Sequence, residues 1–250
     1  MFMSVVTHAP GVPVYAELAG ARVLITGLSP LSGVDLARSF ADHKCRLVLQ
    51  TSAVGPEVDA LTALLAESAA ETQLFTTELS QGPDAVGFAQ GPAQTLGGLD
   101  VAINLIAVEA EDLAGRTTLD EIEDLVSEKL LPATLMTKVI ANRMRLTLTE
   151  GLILNAVVMA PPRSSAEEAL TGILRTALAA ITRRQAQEWA DKDIRINAIG
   201  PKGPMDGAHG GACLTSGPDI AALALYLASR KGRQLTGHVF DAEGVAGRGC

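Results

Sequence analysis

Short apolar runs alternate along this chain with stretches whose apolar residues recur at helical spacing. That alternation leaves few architectures open. The runs Arg22–Thr26, Arg46–Gln50, Asp100–Ile106, Gly151–Val158 and Ile194–Ile199 read as strands, with Gln73–Glu78 and His238–Asp241 completing seven. Helical patterns lie between them. Ser32–Ala41 repeats Val34, Ala37 and Phe40/Ala41 on one side. Thr118 with Glu121 reads as a capping box opening a helix near residue 119. Leu170, Leu174, Ala177, Leu178 and Ile181 make one apolar stripe. Ile220, Leu223, Ala224 and Leu227 make another, with Pro218 early, where a helix tolerates it. The expectation is an α/β, three-layer, doubly wound Rossmann fold: about seven parallel strands with helices on both faces. Residues 1–20, carrying Pro10, Gly11 and Pro13, read as an N-terminal arm, and 21–250 as a single domain.

The composition agrees and excludes several functions. Of 250 residues 48% are hydrophobic but only 3% aromatic, so the core must rest on Ala, Val, Leu and Ile. The net charge of -8, without a basic run, argues against nucleic acid as a partner. Cys45, Cys213 and Cys250 give no disulfide framework, and neither they nor the histidines (His8, His43, His209, His238) have metal-ligand spacing. A reducing compartment follows. No run approaches the roughly 18 apolar residues of a membrane span, and the N-terminus lacks a basic region ahead of its short apolar stretch. The expectation is a soluble, cytoplasmic protein with no membrane contact.

The first strand runs into Thr26-Gly-Leu-Ser-Pro-Leu-Ser-Gly33 and then a helix, the arrangement in which a dinucleotide pyrophosphate meets a helix N-terminus. On spacing alone, a tight turn without a ligand would read the same way.

Five landmarks in register turn this into a resemblance. Thr26-Gly27 with Gly33, Asp100-Val-Ala-Ile-Asn-Leu-Ile-Ala107, Gly151-Leu-Ile-Leu-Asn-Ala-Val-Val158, Asp193-Ile-Arg-Ile-Asn-Ala-Ile-Gly-Pro201, and Gly217-Pro-Asp-Ile with Thr236-Gly-His-Val-Phe-Asp241 resemble the motifs of the short-chain dehydrogenase/reductase family. The resemblance spans roughly residues 20–245. It implies an NAD(P)-dependent oxidoreductase in which a tyrosine, with a lysine four residues on, serves as general acid/base. It places cofactor contacts at Gly27, Ser29, Leu31, Ser32, Gly33, Thr51, Glu78, Leu79 and Asn104.

The departures fall on the chemistry. Counted back from the Ile-Arg-Ile-Asn strand, the family's tyrosine and lysine positions hold Thr171 and Arg175. The serine position holds Val158, and the asparagine of the preceding helix is Lys129. No register slip restores the pair. The chain has two tyrosines, Tyr15 and Tyr226, followed four residues on by Ala19 and Arg230. A threonine hydroxyl is too weak an acid to replace a phenol with a pKa of ~10. Losing a general acid/base costs roughly 10²–10⁴ in rate, and losing an oxyanion donor roughly 10²–10³.

The cofactor signature is altered too. Pro30-Leu31 stands where a glycine would let backbone approach the pyrophosphate, and Pro30 has no N–H to give. Gln50-Thr51-Ser52 replaces the acidic residue that would hold an NAD ribose, which favours NADP(H), weakly held, if either binds. The segment between Pro201 and Pro218 carries five glycines, poor material for a helical lid.

Three functions stay open. The first is a non-catalytic member of the family. It would assemble as a homodimer or homotetramer through helices near 119–144 and 168–190, or as a hetero-oligomer with an active relative. The second is an NADP(H)-dependent oxidoreductase of carbonyls or alcohols, with Lys129, Arg163, Ser164, Thr171 or Arg175 as substitute groups. The third is a module binding another small molecule in the old crevice.

Overall fold

The computed structural model describes residues 15–29, 32–79, 82–160, 162–201 and 217–241. Seven strands form one sheet: β1 (Arg22–Thr26), β2 (Arg46–Thr51), β3 (Glu71–Thr76), β4 (Val101–Val108), β5 (Gly151–Met159), β6 (Ile194–Ile199) and β7 (Val239–Phe240). Their order is β3-β2-β1-β4-β5-β6-β7, and every pairing is parallel. The order reverses between β1 and β4, so the topological switch point lies there. Six α-helices complete the fold: α1 (Val34–Asp42), α2 (Pro56–Ser68), α3 (Gly82–Thr95), α4 (Leu119–Leu146), α5 (Ser165–Trp189) and α6 (Gly217–Ala228).

The five inner strands β2, β1, β4, β5 and β6 send alternate side chains to two dry faces, which is why they are largely apolar, whereas the edge strand β3 is half-buried and carries Glu71, Thr72 and Gln73. One face packs Val23, Ile25, Leu47 and Leu154 against Leu36 and Phe40 of α1 and Leu223 and Leu227 of α6. The other packs Leu24, Ala102 and Ile153 against Met136, Ile140 and Met144 of α4. Towards the carboxyl ends Ile106 and Val157 meet Leu125 and Leu130 of α4 and Leu170, Leu174 and Leu178 of α5. The α4 capping box forms as expected, with the Glu121 N–H donating to the Thr118 hydroxyl and the Thr118 N–H to the Glu121 carboxylate at 2.9 Å.

Two boundaries differ from expectation. The third strand starts two residues earlier than Gln73, because it follows the register of β2, with Arg46 opposite Glu71. Part of the expected arm also belongs to the packed body. Leu18 is only 4% exposed and joins the α1/α6 core, the Gly20 N–H donates to the Lys44 carbonyl at 2.8 Å, and Tyr15 stacks on His43. Pro30, Leu31, the glycine-bearing loop 202–216, Cys213, Cys250, His8 and His209 lie outside the described residues.

Candidate functional site

At the carboxyl ends of β1, β2 and β4 lies a crevice of about 310 Å³, closed on one side by α4. Thr26, Gly27, Gln50 and Asn104–Ala107 form its sheet side; Glu78 and Leu79 come from the β3 exit; Lys129, Pro132 and Met136 come from α4. Beneath the floor formed by Thr26 and Asn104 runs a buried polar chain. Thr26 Oγ1 donates to Asn104 Oδ1 at 3.1 Å, Asn104 Nδ2 donates to Asn155 Oδ1 at 2.7 Å, and Thr137 Oγ1 donates to Asn155 Oδ1 at 3.3 Å. Asn104 therefore ties three strands and a helix together.

The turn above this floor is bonded to itself. The Gly27 N–H donates to Gln50 Oε1 at 2.8 Å, and the Leu28 N–H to the Gln50 carbonyl at 3.0 Å. Gln50 Nε2 donates to the Thr77 carbonyl at 2.5 Å, so a side chain only 2% exposed staples the turn to the β3 exit. Ser29 and Ser32 exchange backbone bonds, and their hydroxyls sit 2.9 Å apart. Space is consumed as well. Gly27, at φ +74°, packs so that a Cβ would lie 2.3 Å from the Leu105 carbonyl oxygen, and a Cβ on Gly33, at φ +85°, would lie 2.3 Å from Leu105 Cδ1. The Leu105 side chain thus sits against the turn, in contact with Leu28.

The expected cofactor positions divide between crevice and surroundings. Gly27, Glu78, Leu79 and Asn104 line the crevice. Ser29, Ser32 and Gly33 serve turn geometry. Thr51 is buried, and its hydroxyl accepts the Ala53 N–H at 3.0 Å; Ser52 reaches the crevice in its place. The expected chemical positions are separated. Lys129 lines the crevice but is ion-paired to Asp112 at 2.7 Å. Val158 is half-buried on β5 opposite Ala107. Thr171 is 2% exposed, and its hydroxyl donates to the Glu167 carbonyl one turn back at 2.7 Å. Arg175 Nη1 donates to the Pro201 carbonyl at 2.7 Å and pairs with Asp241 at 2.6 Å, tying α5 to the ends of β6 and β7. No residue of β5 or α5 is among the crevice's described lining residues.

A family model described as enoyl-(acyl carrier protein) reductase matches residues 33–214, well over half of the chain. The chain belongs to the short-chain dehydrogenase/reductase family. Among curated relatives of this chain is the peroxisomal 2,4-dienoyl-CoA reductase of Pongo abelii, 24% identical over 89% of this chain and 82% of that one. A short-chain dehydrogenase of Oenococcus oeni shares the fold at a TM-score of 0.72, with 23% identity over 91% of this chain and 96% of that one. An NADH-dependent reductase solved with NAD also superposes at 0.72, with 20% identity over 92% and 97% of the two chains.

The sequence marks the turn and floor of this family member but not the part played by Gln50. The signal was there in an uncharged, long polar residue at a strand end, between apolar Leu49 and Thr51. Only the fold shows that it turns towards Gly27. Leu105 belongs to a strand motif, and nothing local marks it as the residue that fills space beneath Gly33. Among the described residues no helix is long and apolar enough to cross a membrane, and no three His, Cys, Asp or Glu side chains gather as a metal site.

Proposed function

We propose that this chain is a non-catalytic member of its family, a subunit that keeps the oxidoreductase scaffold without its proton-transfer chemistry. One observation carries the reading. The two side chains at the family's tyrosine and lysine positions are committed elsewhere, Thr171 to its own helix and Arg175 to Pro201 and Asp241. Neither tyrosine substitutes. Tyr15 stacks on His43 with Lys231 over its ring, and Tyr226 lies on α6; neither lines the crevice. Hydride delivery to a carbonyl would leave an oxyanion with no acidified donor among the described groups of the crevice, a deficit of roughly 10²–10⁴ in rate.

A dinucleotide fits poorly. The Gly27, Leu28, Ser29 and Ser32 amides of the turn are occupied, and Leu105 fills space below it. The crevice stands near the lower end of the roughly 300–1,000 Å³ typical of ligand pockets. Any NADP(H) binding is weak in this reading, and the subunit works by assembly. Leu131, 52% exposed in the middle of α4, supports pairing through α4 and α5 with a second copy or an active relative.

The test is a fluorescence titration of the purified protein with NADPH and NADH, followed by turnover on ketones and on an enoyl thioester. The thioester is included because the matched family description and the Pongo abelii relative both name acyl-thioester reductases. Absence of binding at millimolar cofactor is expected. Micromolar NADPH binding with turnover of either substrate class would replace this reading with an active reductase using substituted groups.

A further inference from the structure

The parallel sheet has two ends, and the larger opening is at the end away from the crevice. A cavity of about 650 Å³, roughly twice the volume of the crevice, lies at the amino ends of β1, β4, β5 and β6. Topology places it there: Ala21, Asp100, Glu150 and Asp193 each line it from one residue ahead of a strand. The remaining wall comes from Glu17–Gly20 and from the turn that follows α6.

Accounting for its charges leaves a specific remainder. Asp100 is held by Arg22, which donates through its backbone N–H at 2.8 Å, Nε at 2.9 Å and Nη2 at 2.7 Å. Glu150 is paired with Arg233. Arg195 differs. It is half-buried, and Nη1 donates to the carbonyls of Leu227 and Gly232, both at 2.8 Å, but no carboxylate stands within ion-pair reach among the described residues. Gly232 makes this arrangement possible. A Cβ there would lie 2.6 Å from Leu227 Cα and 2.7 Å from its carbonyl oxygen, so only glycine lets the two carbonyls converge on one guanidinium nitrogen. A half-buried cation bonded only to neutral carbonyls keeps much of its attraction for an anion. Burial, with Arg233 nearby, pushes the Arg195 pKa down from its ordinary value, and Glu150 opposes the shift, but an arginine stays charged. On the same cavity the Asp193 carboxylate has no donor among the described residues, and the exposed Glu17 carboxylate, held below its ordinary pKa by its own backbone N–H and by that of Arg230 at 3.3 Å, has no side-chain donor among them.

We propose that this cavity binds a small zwitterion of the amino-acid class, its carboxylate on the Arg195 guanidinium and its ammonium group by Asp193 and Glu17. The guanidinium fork suits a carboxylate in two parallel bonds. With the Arg22–Asp100 and Arg233–Glu150 pairs set aside, two carboxylates (Glu17 and Asp193) and two arginines (Arg195 and Arg230) remain on the cavity, a balance that suits a zwitterion better than a phosphate dianion. The site is independent of the crevice and of whether the crevice is catalytic.

Thermal-shift measurements followed by isothermal titration calorimetry test it on the full chain. The probes are free L-amino acids, their desamino acids, their decarboxylated amines and inorganic phosphate. At least one amino acid should raise the melting temperature and bind below about 1 mM, more tightly than either truncated counterpart. Asp193→Asn keeps a residue that tolerates the left-handed backbone at φ 56°. It should weaken binding about 10-fold without changing the melting temperature of the free protein. Arg195→Lys, which keeps the charge and loses the fork, should weaken it by at least as much. Three results would overturn the proposal: no amino acid bound at about 10 mM, binding indifferent to both substitutions, or desamino acids or phosphate bound as tightly as the amino acid.

Discussion

Gln50 closes the first turn through Gly27, its side-chain oxygen taking the one backbone N–H that opens the loop. Its amide nitrogen donates to the Thr77 carbonyl on the far side, so one buried side chain satisfies a donor on the turn and an acceptor at the β3 exit. Gln50→Ala would leave both without partners. We expect a loss of about 1–3 kcal/mol, read by urea denaturation. A change below about 0.5 kcal/mol would mean that the turn does not depend on this bond.

Leu105 and the glycines of the turn should behave as one unit. Gly27→Ala meets backbone at a positive φ and is expected to cost about 3 kcal/mol or more. Gly33→Ala meets side chains rather than backbone, the end of Leu105 at 2.3 Å and, less closely, that of Leu28 at 3.0 Å. Truncating the Leu105 side chain should relieve the closer clash but not the backbone strain. In a double-mutant cycle Leu105→Ala and Gly33→Ala should couple by about 1 kcal/mol or more; additive effects would show that the two do not press on each other.

Restoring the family's residues by name should fail to restore chemistry. Thr171→Tyr places a phenol in a position 2% exposed against Met159, and Arg175→Lys gives up the guanidinium that joins Pro201 to Asp241. The double variant should lose roughly 1–3 kcal/mol of stability and gain no carbonyl reduction with NADPH above background. Recovery of turnover to even a tenth of an ordinary reductase's rate would show that proton transfer was the sole deficit.

Acid should weaken the Arg22–Asp100 junction. Burial raises the Asp100 pKa, but the side-chain and backbone bonds from Arg22 outweigh it and hold the carboxyl below its ordinary value. A depressed carboxylate stabilises the fold above its unfolded pKa of about 3.9, and that contribution disappears as pH falls through the lower folded value. The wild type should therefore lose stability more steeply than Asp100→Asn below about pH 4 in pH-dependent urea melts. Parallel curves would mean that the pair contributes no proton linkage.

Burial pushes the Cys45 thiol up to about 12, and its Sγ donates to the Leu18 carbonyl at 3.2 Å. With Cys213 and Cys250 replaced by serine, alkylation at neutral pH should proceed only as fast as the protein opens. Labelling within minutes under native conditions would show that the Tyr15–Gly20 segment detaches readily.

The inner strands were legible because they are apolar on both faces; the edge strand β3, with Glu71, Thr72 and Gln73, carries a weaker signal. The α4 start was legible because Thr118 and Glu121 carry the cap in their own spacing. The α2 and α3 helices were not singled out. α3 holds Pro83, Pro92 and three glycines, so its helix rests on tertiary contacts such as Ala85, Phe88 and Ala89 against the α4 core rather than on propensity. Within the site, Asn104 was readable from its strand motif. The Gln50–Gly27 bond spans 23 positions, and the Leu105–Gly33 approach depends on how strand and turn stack, so neither leaves a local pattern.

The buried Thr26–Asn104–Asn155–Thr137 chain has a consequence for how freely the site can vary. A one-residue slip of β4 would send Asn104 to the opposite face and leave amides and hydroxyls stranded in hydrocarbon, so this small network fixes the alignment of the central strands. The positions that correspond to the family's reactive groups sit outside it. Side chains at 129, 158, 171 and 175 can be exchanged without disturbing the element that sets the sheet's alignment, so this architecture permits chemistry to be lost while shape is retained.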